Sequence, residues 1–298
     1  MLLVVRVEAV VTDLDGTVVR SDFSVSPATL TALDLIRSAG ISFVIATART
    51  PQGLEHFGVL APRTRMAVCC SGAIGWSSPE QALMWVAWMT PTAIGRVVEI
   101  AISEGAGVAS FDGSLWRMTD EYHRLSPTQP HGPTRIVVES AALAETACCT
   151  MAVRHANGNL DRIAGLVAAE ADSAALSHVG RSTVLDVTAQ GVDKGTGTCR
   201  ALEALDVAPS SAISFGDMPN DLAMFRVTGR SYSVGESDPR VMSAASEIIP
   251  SVEDDGFARK IADLAAAGWV IEDAAPQVGA DGEIRTPGQP LTRRLLYP

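Results

Sequence analysis

This chain of 298 residues is poor in aromatic residues, in lysine and in long apolar runs. Aromatic residues make up 5% of it, so a core must be built mainly from the aliphatic residues in its 47% hydrophobic content. No apolar run approaches the length of about 18 residues that a membrane-spanning helix needs, so we expect no membrane association. The apolar start at residues 1–5 is soon interrupted by Arg6 and Glu8 and lacks a small-residue cleavage site. This pattern is typical of a first strand and not of a signal peptide.

Basic residues are outnumbered, since 23 Lys and Arg stand against 34 Asp and Glu and give a net charge of −11. The only adjacent basic pair is Arg293-Arg294, near the end of the sequence. Because an acidic chain without a basic patch binds nucleic acid poorly, we expect no nucleic-acid partner. The cysteines contain no Cys-x-x-Cys motif and are interpreted as buried, reduced thiols, which suits the cytoplasm. They are Cys69, Cys70, Cys148, Cys149 and Cys199.

Short apolar runs alternate with capped helical segments over about residues 5–75 and again in the last third of the chain. Ser26-Pro27 and Thr50-Pro51 each predict a helix start, because a hydroxyl caps the free N–H groups and proline suits the first turn. The runs at 41–46 and 66–70 are apolar throughout, which favours strands buried on both faces. Strands and helices in this order predict an α/β fold around a parallel sheet.

A block of different texture, residues 79–189, interrupts this alternation. Asp112-Gly113 between two short apolar runs is a hairpin signal, and further helices and strands follow in mixed order. Because the block is too long for a loop and has its own elements, we expect a separate α+β unit. The predicted division is a core of residues 1–78 and 190–270, the inserted domain 79–189, and a Gly- and Pro-rich tail 271–298 that lies on the surface or is disordered.

The segment Asp13-Leu14-Asp15-Gly16-Thr17 directly follows the apolar run at 7–12. Because side chains alternate along a strand, two carboxylates two residues apart lie on the same side of the chain. The glycine allows a tight turn after them. Such a pair at the end of a buried strand suits a hard divalent cation and two distinct catalytic roles. Taken alone, the motif leaves open a charged turn without a function.

Three further polar segments lie after predicted strands or at a predicted helix start. They are Thr47 with Arg49, Lys194, and Gly216-Asp217-Met218-Pro219-Asn220-Asp221. Since ligands bind at the carboxyl ends of strands in an open α/β sheet, we expect these side chains to converge with the two aspartates. Lys194 is one of two lysines against 21 arginines, which indicates a compact charge retained for a phosphate contact.

Together these motifs resemble the haloacid dehalogenase-like superfamily, with the match extending over residues 5–75 and 190–267. The long insertion, the segment Gly191-Val192-Asp193-Lys194-Gly195 and the Gly216-Asp217-x-x-Asn220-Asp221 form look like the Cof-type subgroup. The resemblance implies a Rossmann-like parallel sheet core with an inserted α+β cap. It also implies a Mg²⁺-dependent phosphatase of small phosphorylated metabolites, mostly sugar phosphates. In one departure, Ser71-Gly72-Ala73 replaces the usual Asn-Gly-Ala, and serine has the shorter reach.

The resemblance further implies a role for each site residue. Asp13 is expected to attack phosphorus and form an aspartyl-phosphate, and Asp15 to protonate the leaving group and then activate water. The phosphoryl group is expected to be contacted by Thr47, Lys194 and Asn220. Mg²⁺ is expected to be held by Asp13, Asp15 through its backbone carbonyl, Asp217 and Asp221.

Other functions remain open from the sequence: a phosphomutase or other phosphotransferase on the same scaffold, or a non-catalytic sugar-phosphate-binding regulator. The presence of all three motif aspartates argues against the inactive binder. Substrate choice is expected to lie in the cap, where the candidates are Trp116, Arg117, Glu121 and His123. We expect a cytoplasmic enzyme with a small phosphorylated substrate, and the sequence leaves its oligomeric state unknown.

Overall fold

The structure is a computed structural model that describes residues 4–126, 132–157, 160–171, 174–178, 184–235, 237–272, 277–278 and 284–285. Its strands are β1 (Val4–Arg6), β2 (Ala9–Thr12), β3 (Ser42–Ala46), β4 (Met66–Cys69), β5 (Ile74–Ser77), β6 (Ala82–Val86), β7 (Gly107–Phe111), β8 (Leu115–Met118), β9 (Thr134–Val137), β10 (Thr150–Arg154), β11 (Ala174–His178), β12 (Leu185–Ala189), β13 (Ala212–Gly216), β14 (Arg230–Val234), β15 (Glu247–Ile249), β16 (Val270–Glu272), β17 (Gln277–Val278) and β18 (Ile284–Arg285). Its helices are α1 (Pro27–Ser38), α2 (Pro51–Leu54), α3 (Pro91–Ser103), α4 (Asp120–Leu125), α5 (Ser140–Ala144), α6 (Leu160–Glu170), α7 (Lys194–Ala204), α8 (Leu222–Val227), α9 (Pro239–Ala244) and α10 (Gly256–Ala266). Short 3₁₀ turns lie at Glu55–Phe57, Ala61–Arg63, Cys70–Gly72, Pro209–Ser211 and Pro219–Asp221.

Eight of the described strands form one sheet in the order β15-β14-β13-β2-β3-β4-β5-β6, called here the core sheet. Its first six strands are parallel, and β5 and β6 add an antiparallel hairpin at one edge. β2 is central, with Ala9 paired to Ser42 on one side and Ala212 on the other. Every residue of β2 and β13 is buried, as parallel strands covered on both faces require. The predicted α/β class is confirmed.

The helices of the core sheet begin where the sequence signals predict. The Ser26 hydroxyl accepts the N–H of Thr29 at the start of α1, and the Thr50 hydroxyl accepts the N–H of Gly53 at the start of α2. α1 and α10 cover one face of the sheet, and Phe43 of β3 lies in the apolar cluster that these helices form with the sheet. α7 and α8 cover the other face. The two helical layers bury the sheet and leave the carboxyl ends of its strands to form a site.

A second sheet of the described residues has the strand order β11-β12-β10-β7-β8-β9 and is called here the cap sheet. Its pairs are antiparallel except for β8 with β9. β7 and β8 form the hairpin predicted at Asp112-Gly113, with Phe111 opposite Trp116. One face packs against α3 and α6 through residues that include Met151 and Val187. The expected antiparallel α+β unit is therefore present in the inserted block.

The strand pairing shows where the chain first passes from the core sheet to the cap sheet. The sequence places this crossing at residues 78–79, but β6 extends the core sheet to Val86, and the Ser78-Pro79 signal lies in the turn between β5 and β6. The chain returns to the core between Ala189 and Lys194, near the predicted position. On this pairing we propose a cap domain that begins after Val86 and ends near Ala189.

The predicted tail 271–298 lies largely outside the described residues. Its first two residues belong to β16, which pairs with β1 so that Ile271 lies opposite Val5. Within the described part of the chain, no helix combines the length and the apolarity needed to cross a membrane. The five cysteines all lie in the described part of the chain and are thiols outside any disulfide, and four of them are buried while Cys199 is partly exposed. Burial raises the pKa of Cys148 to about 12, so this thiol is neutral at pH 7.

Candidate active site

Asp13 follows β2 at the carboxyl edge of the core sheet and is 6% exposed. Its N–H donates to the carbonyl of Phe215 in β13 at 2.9 Å, so strand pairing fixes its position. Gly16 then turns the chain with φ of +80°, and a Cβ there would lie 2.6 Å from Asp217 Oδ2. The glycine of the motif is therefore needed both for its backbone conformation and for the space it leaves beside Asp217.

Lys194 is the first residue of α7, and a reciprocal cap fixes that helix start. The Asp193 carboxylate accepts the N–H of Thr196 at 2.7 Å, and the Thr196 hydroxyl accepts the N–H of Asp193 at 2.9 Å. The Lys194 side chain is 1% exposed, with Nζ 2.7 Å from Asp13 Oδ1 and 2.6 Å from Asp221 Oδ1. Two charge-assisted hydrogen bonds compensate the buried ammonium for the water it has lost.

The loop after β13 presents Asp217 and Asp221. Asp221 is fully buried, and its Oδ2 accepts the N–H groups of Asp217 at 3.0 Å and Met218 at 2.9 Å. Asp217 Oδ1 accepts the hydroxyl of Thr17 at 3.1 Å. Both oxygens of Asp221 are thus engaged by protein donors, because Oδ1 binds Lys194. Asp221 shapes the loop, and the loop aims Asp217 at the turn that follows Asp13.

Among the described residues, Asp13, Asp217 and Asp221 form a cluster whose carboxylate oxygens lie within 4.8 Å of one another. Carboxylate oxygens are the ligands that Mg²⁺ and Ca²⁺ prefer. Three carboxylates in one buried place carry more negative charge than the single ammonium of Lys194 balances. The donor chemistry and the charge therefore fit a divalent cation, which Asp13 and Asp217 would hold, with Asp221 supporting the loop.

The pKa values at the cluster are shifted by burial and by the crowding of like charges. Burial raises the pKa of Asp13 well above its ordinary value, and the Lys194 ammonium opposes this rise. Burial and the neighbouring Asp221 raise the pKa of Asp217 to about 7. Burial alone would lower the pKa of Lys194, but Asp13 and Asp221 reverse that effect and raise it. A bound cation relieves such crowding and restores the ionised carboxylates.

The side chain of Asp15 lies outside the carboxylate cluster. Arg49 binds it with two parallel hydrogen bonds, from Nε to Oδ2 and from Nη2 to Oδ1, each 2.7 Å long. The Asp15 side chain is 46% exposed, in contrast to the buried Asp13. A guanidinium within reach takes up a carboxylate in this fork geometry. The predicted role of Asp15 as a metal ligand through its backbone carbonyl stays a prediction.

Arg49 is the site residue to which the sequence analysis gave no role. Its guanidinium lies over the rings of Phe57, 5.0 Å from the centroid, and Phe23, at 5.7 Å. The sequence feature that indicates a role for Arg49 is its position shortly after β3, at the same edge of the sheet as Thr47. Its partner could not be foreseen, because Asp15 reaches Arg49 from a different strand and loop.

Thr47 and Asn220 lie at the edge of the sheet where the sequence predicts them. Thr47 is 1% exposed, and its hydroxyl accepts the N–H of Arg49 at 3.1 Å. Asn220 Oδ1 is buried and finds no hydrogen-bond partner among the residues that the structure describes. The same holds for the hydroxyl of Ser71, which sits in left-handed backbone with φ of +52°. Because a buried polar atom without a partner is costly, these two groups suit a polar ligand.

The predicted specificity residues of the cap are mostly engaged within the cap itself, while His123 is exposed. Their contacts are Trp116 with Phe111 (5.2 Å between ring centroids), Arg117 with Asp112 (2.5 Å from Nη1 to Oδ2) and Glu121 with Arg124 (2.6 Å from Oε2 to Nη2). These contacts occupy three of the four groups and give no sign of a substrate role. A role for these residues stays a prediction.

The chain is similar to several known phosphatases. It is 26% identical over 248 residues to a phosphoglycolate phosphatase of Natronomonas pharaonis, a match that covers 82% of this chain and 92% of that protein. It is 35% identical over 81 residues to a phosphoglycolate phosphatase of Methanothrix thermoacetophila, a match that covers 27% of this chain and only 36% of that protein. A solved structure described as a HAD subclass IIB sugar phosphatase superposes with a TM-score of 0.78 at 16% identity, covering 87% of this chain and 99% of that one. At this identity the structural likeness shows the fold.

The parallel sheet, the cap and the carboxylates gathered at the strand ends define a hydrolase with an aspartate-rich centre. The chain belongs to the haloacid dehalogenase-like hydrolases, whose family model matches residues 10–261. This result confirms the family and the fold class that the sequence motifs indicated. It also confirms the prediction that the protein is an enzyme.

Proposed function

We propose that this hydrolase is a Mg²⁺-dependent phosphatase that acts on a small phosphorylated metabolite, such as a sugar phosphate, through an aspartyl-phosphate on Asp13. The proposal is carried by one observation, the buried contact of Lys194 Nζ with Asp13 and Asp221 beside Asp217. The contact brings together the carboxylate of Asp13 as the nucleophile and the ammonium of Lys194, which can bind a phosphoryl group. Asp217 lies beside them as a ligand for a divalent cation. The similarity to phosphoglycolate phosphatases supports a phosphomonoester substrate, and the buried thiols suit a cytoplasmic enzyme.

In the first step, a carboxylate oxygen of Asp13 bonds to phosphorus while the bond from phosphorus to the leaving oxygen breaks. Lys194, Thr47 and the amide group of Asn220 hold the phosphoryl oxygens and offset the charge that develops on them. A divalent cation held by Asp13 and Asp217 would supply positive charge that offsets the charge of the phosphoryl group and the carboxylates. Protonated Asp15 gives its proton to the leaving oxygen, which departs as an alcohol.

In the second step, water attacks the phosphorus of the aspartyl-phosphate and Asp15 takes its proton. The bond between phosphorus and the Asp13 oxygen breaks, which releases phosphate and restores the Asp13 carboxylate. Arg49 binds the Asp15 carboxyl group with two hydrogen bonds and thereby keeps it in position at the site between the two steps. The cycle is balanced, because the proton gained from water replaces the one given to the leaving group.

The test compares Asp13→Asn with Asp34→Asn, an exchange of the same kind at an exposed surface pair. Phosphate release from p-nitrophenyl phosphate is expected to fall at least about 10³-fold in the first variant and to stay unchanged in the second. The wild-type protein is expected to lose activity in EDTA, regain it with Mg²⁺ and be inhibited by Ca²⁺, whose looser shell misplaces Asp13. Full activity after removal of all bound metal would refute the proposal, as would an active Asp13→Asn variant.

A further inference from the structure

The two faces of the cap sheet have different surroundings. On one face, Met151 and Val187 pack against α3 and α6. Strand alternation puts Ala109, Ala152 and Asp186 on the opposite face, where these three lie side by side on neighbouring strands. Ala109 and Ala152 pack there against Met118 and Tyr122, whereas Asp186 is a charged residue in a strand that is otherwise apolar or hydroxylic. This inner face therefore carries a carboxylate that packing does not explain.

The inner face is turned toward the candidate active site. β12, which carries Asp186, contacts the turn Cys70–Gly72, and β11 contacts the turn Pro219–Asp221. Phe111, at one end of the inner face, belongs to the same apolar cluster as residues of the core strands. Asp186 also lies within electrostatic range of Lys194, whose ammonium lowers its pKa. The carboxyl group thus borders the cleft between the cap sheet and the residues that would hold the phosphoryl group.

Charged and polar groups lie near Asp186. The Arg154 guanidinium lies over the ring of Tyr122, 5.7 Å from its centroid, and within electrostatic range of Asp186. Burial raises the pKa of Asp186 to about 7, against the opposing effect of Arg154 and Lys194. Its surface is only partly accessible. A group enclosed by protein that keeps an accessible part is typical of the wall of a cleft.

The turn that β12 contacts supplies a second polar group. β12 packs on the turn that holds Ser71, whose buried hydroxyl finds no partner in the described ranges of the chain. A carboxyl and a hydroxyl are the groups that bind alcohol hydroxyls, because each can accept a hydrogen bond. Arg154 offsets the charge of Asp186, so the pair offers no net positive charge to an anionic leaving group. A carboxylate placed beside Asp186 brings only acceptor oxygens, so it gains no hydrogen bond from an ionised Asp186 to replace its lost hydration.

We infer that Asp186 is a specificity-determining residue that accepts a hydrogen bond from a hydroxyl group of the leaving group and disfavours leaving groups that carry a carboxylate. The inference rests on the proposed phosphatase function and identifies the cap sheet as the part of the protein that recognises the leaving group. It sets this chain apart from its relatives named phosphoglycolate phosphatases, since glycolate carries a carboxylate next to the phosphoester. Asp186 takes no part in the transfer of the phosphoryl group.

The test measures kcat/KM with Mg²⁺ for a hexose 6-phosphate, its singly deoxygenated analogues, 2-phosphoglycolate and p-nitrophenyl phosphate. With the wild-type protein, one deoxygenated analogue is expected to lose about tenfold to hundredfold, the effect of a hydrogen bond to a charged group. Asp186→Asn is expected to abolish that discrimination and to raise kcat/KM for 2-phosphoglycolate. Turnover of p-nitrophenyl phosphate, which has no hydroxyl on its ring, is expected to stay within about twofold.

The matched control is Asp120→Asn, the same exchange at an exposed cap residue paired with Arg124. It is expected to leave every ratio unchanged. The inference is overturned if no deoxygenated analogue is discriminated, if Asp186→Asn keeps the wild-type discrimination, or if 2-phosphoglycolate is the preferred substrate. Unfolding of both Asp186→Asn and Asp186→Ser would assign the residue to cap packing and overturn it too. A wild-type protein inactive on every phosphomonoester, p-nitrophenyl phosphate included, would instead refute the proposed function.

Discussion

Replacement of Lys194 by methionine tests the electrostatic balance of the site. Methionine has a similar length and fills similar space but carries no charge. Without the ammonium, Asp13 and Asp221 lose the partner that lies 2.7 and 2.6 Å away. Because Lys194 lowers the pKa of Asp13, its removal lets that pKa rise further, which weakens Asp13 as a nucleophile. Activity and metal-free stability are both expected to fall.

The size of the effect follows from the burial of the pair. Removing one partner from a buried ion pair costs about 3–5 kcal/mol, since an uncompensated charge stays behind. That is a large share of the roughly 5–15 kcal/mol that stabilises a typical protein. The melting temperature of the metal-free variant is expected to fall by roughly 5–15 °C. Mg²⁺ is expected to recover part of this loss, because it brings positive charge to the same carboxylates.

The assay is thermal unfolding by circular dichroism in EDTA and in Mg²⁺, together with turnover of p-nitrophenyl phosphate. The second lysine provides the control: Lys260 binds Glu247 at 2.6 Å, but the glutamate is 38% exposed. Lys260→Met is expected to cost less than about 1 kcal/mol and to leave turnover unchanged. If Lys194→Met melted within about 2 °C of wild type in EDTA and kept a tenth of its turnover, the electrostatic account would be wrong.

Three further results are expected. Asp15→Asn slows hydrolysis of alkyl phosphates more than of aryl phosphates, whose leaving groups need no proton donor. Gly16→Ala, whose Cβ would press on Asp217 Oδ2, raises the Mg²⁺ concentration for half-maximal activity by about tenfold. Metal-free stability falls as pH rises from about 4 to 7, because the folded pKa of Asp217 is about 7 against an ordinary value of 3.8. The rise in melting temperature on adding Mg²⁺ is therefore larger at pH 8 than at pH 5.

Each of these results has an outcome that contradicts it. Equal losses on alkyl and aryl phosphates would separate Asp15 from proton transfer. An unchanged Mg²⁺ requirement in Gly16→Ala would show that the turn accommodates a side chain without moving Asp217. A Mg²⁺ effect on melting that is independent of pH would remove Asp217 from the ligands, and Asp217→Asn is the variant in which the pH dependence is expected to be weaker than in the wild type.

Much of the site could be predicted, because the carboxyl ends of parallel strands meet at one edge. Asp13, Lys194 and Asp217 each stand next to a strand end or a helix start that the sequence marks by capping residues and apolar runs. The periodicity of the chain thus predicts that these groups converge. Periodicity does not give the distance between residues that are far apart in the sequence, so the ion pair of Lys194 with Asp221 is visible only in the structure.

What the sequence did not reveal depends on contacts between distant elements. The choice of Arg49 by the Asp15 side chain follows from the packing of two loops, and no local pattern encodes it. Ser78-Pro79 marks a turn within an antiparallel hairpin as well as it marks a crossing between domains, so the extension of the core sheet to Val86 was missed. Asp186 could not be singled out from the sequence, because a single aspartate in a strand is usually exposed to solvent and its enclosed surroundings are visible only in the structure.

The central place of β2 in the core sheet has a consequence for protein synthesis. Ala9 pairs with Ala212, so one neighbour of β2 leaves the ribosome long after β2 itself. At about 5–20 residues per second, roughly 10–40 s pass before β13 can pair. During that interval β2 presents an apolar strand with an open edge, which is a template for wrong pairing. Chains that end before β13 are therefore expected to aggregate, whereas the full-length chain closes this edge as it completes its reaction centre.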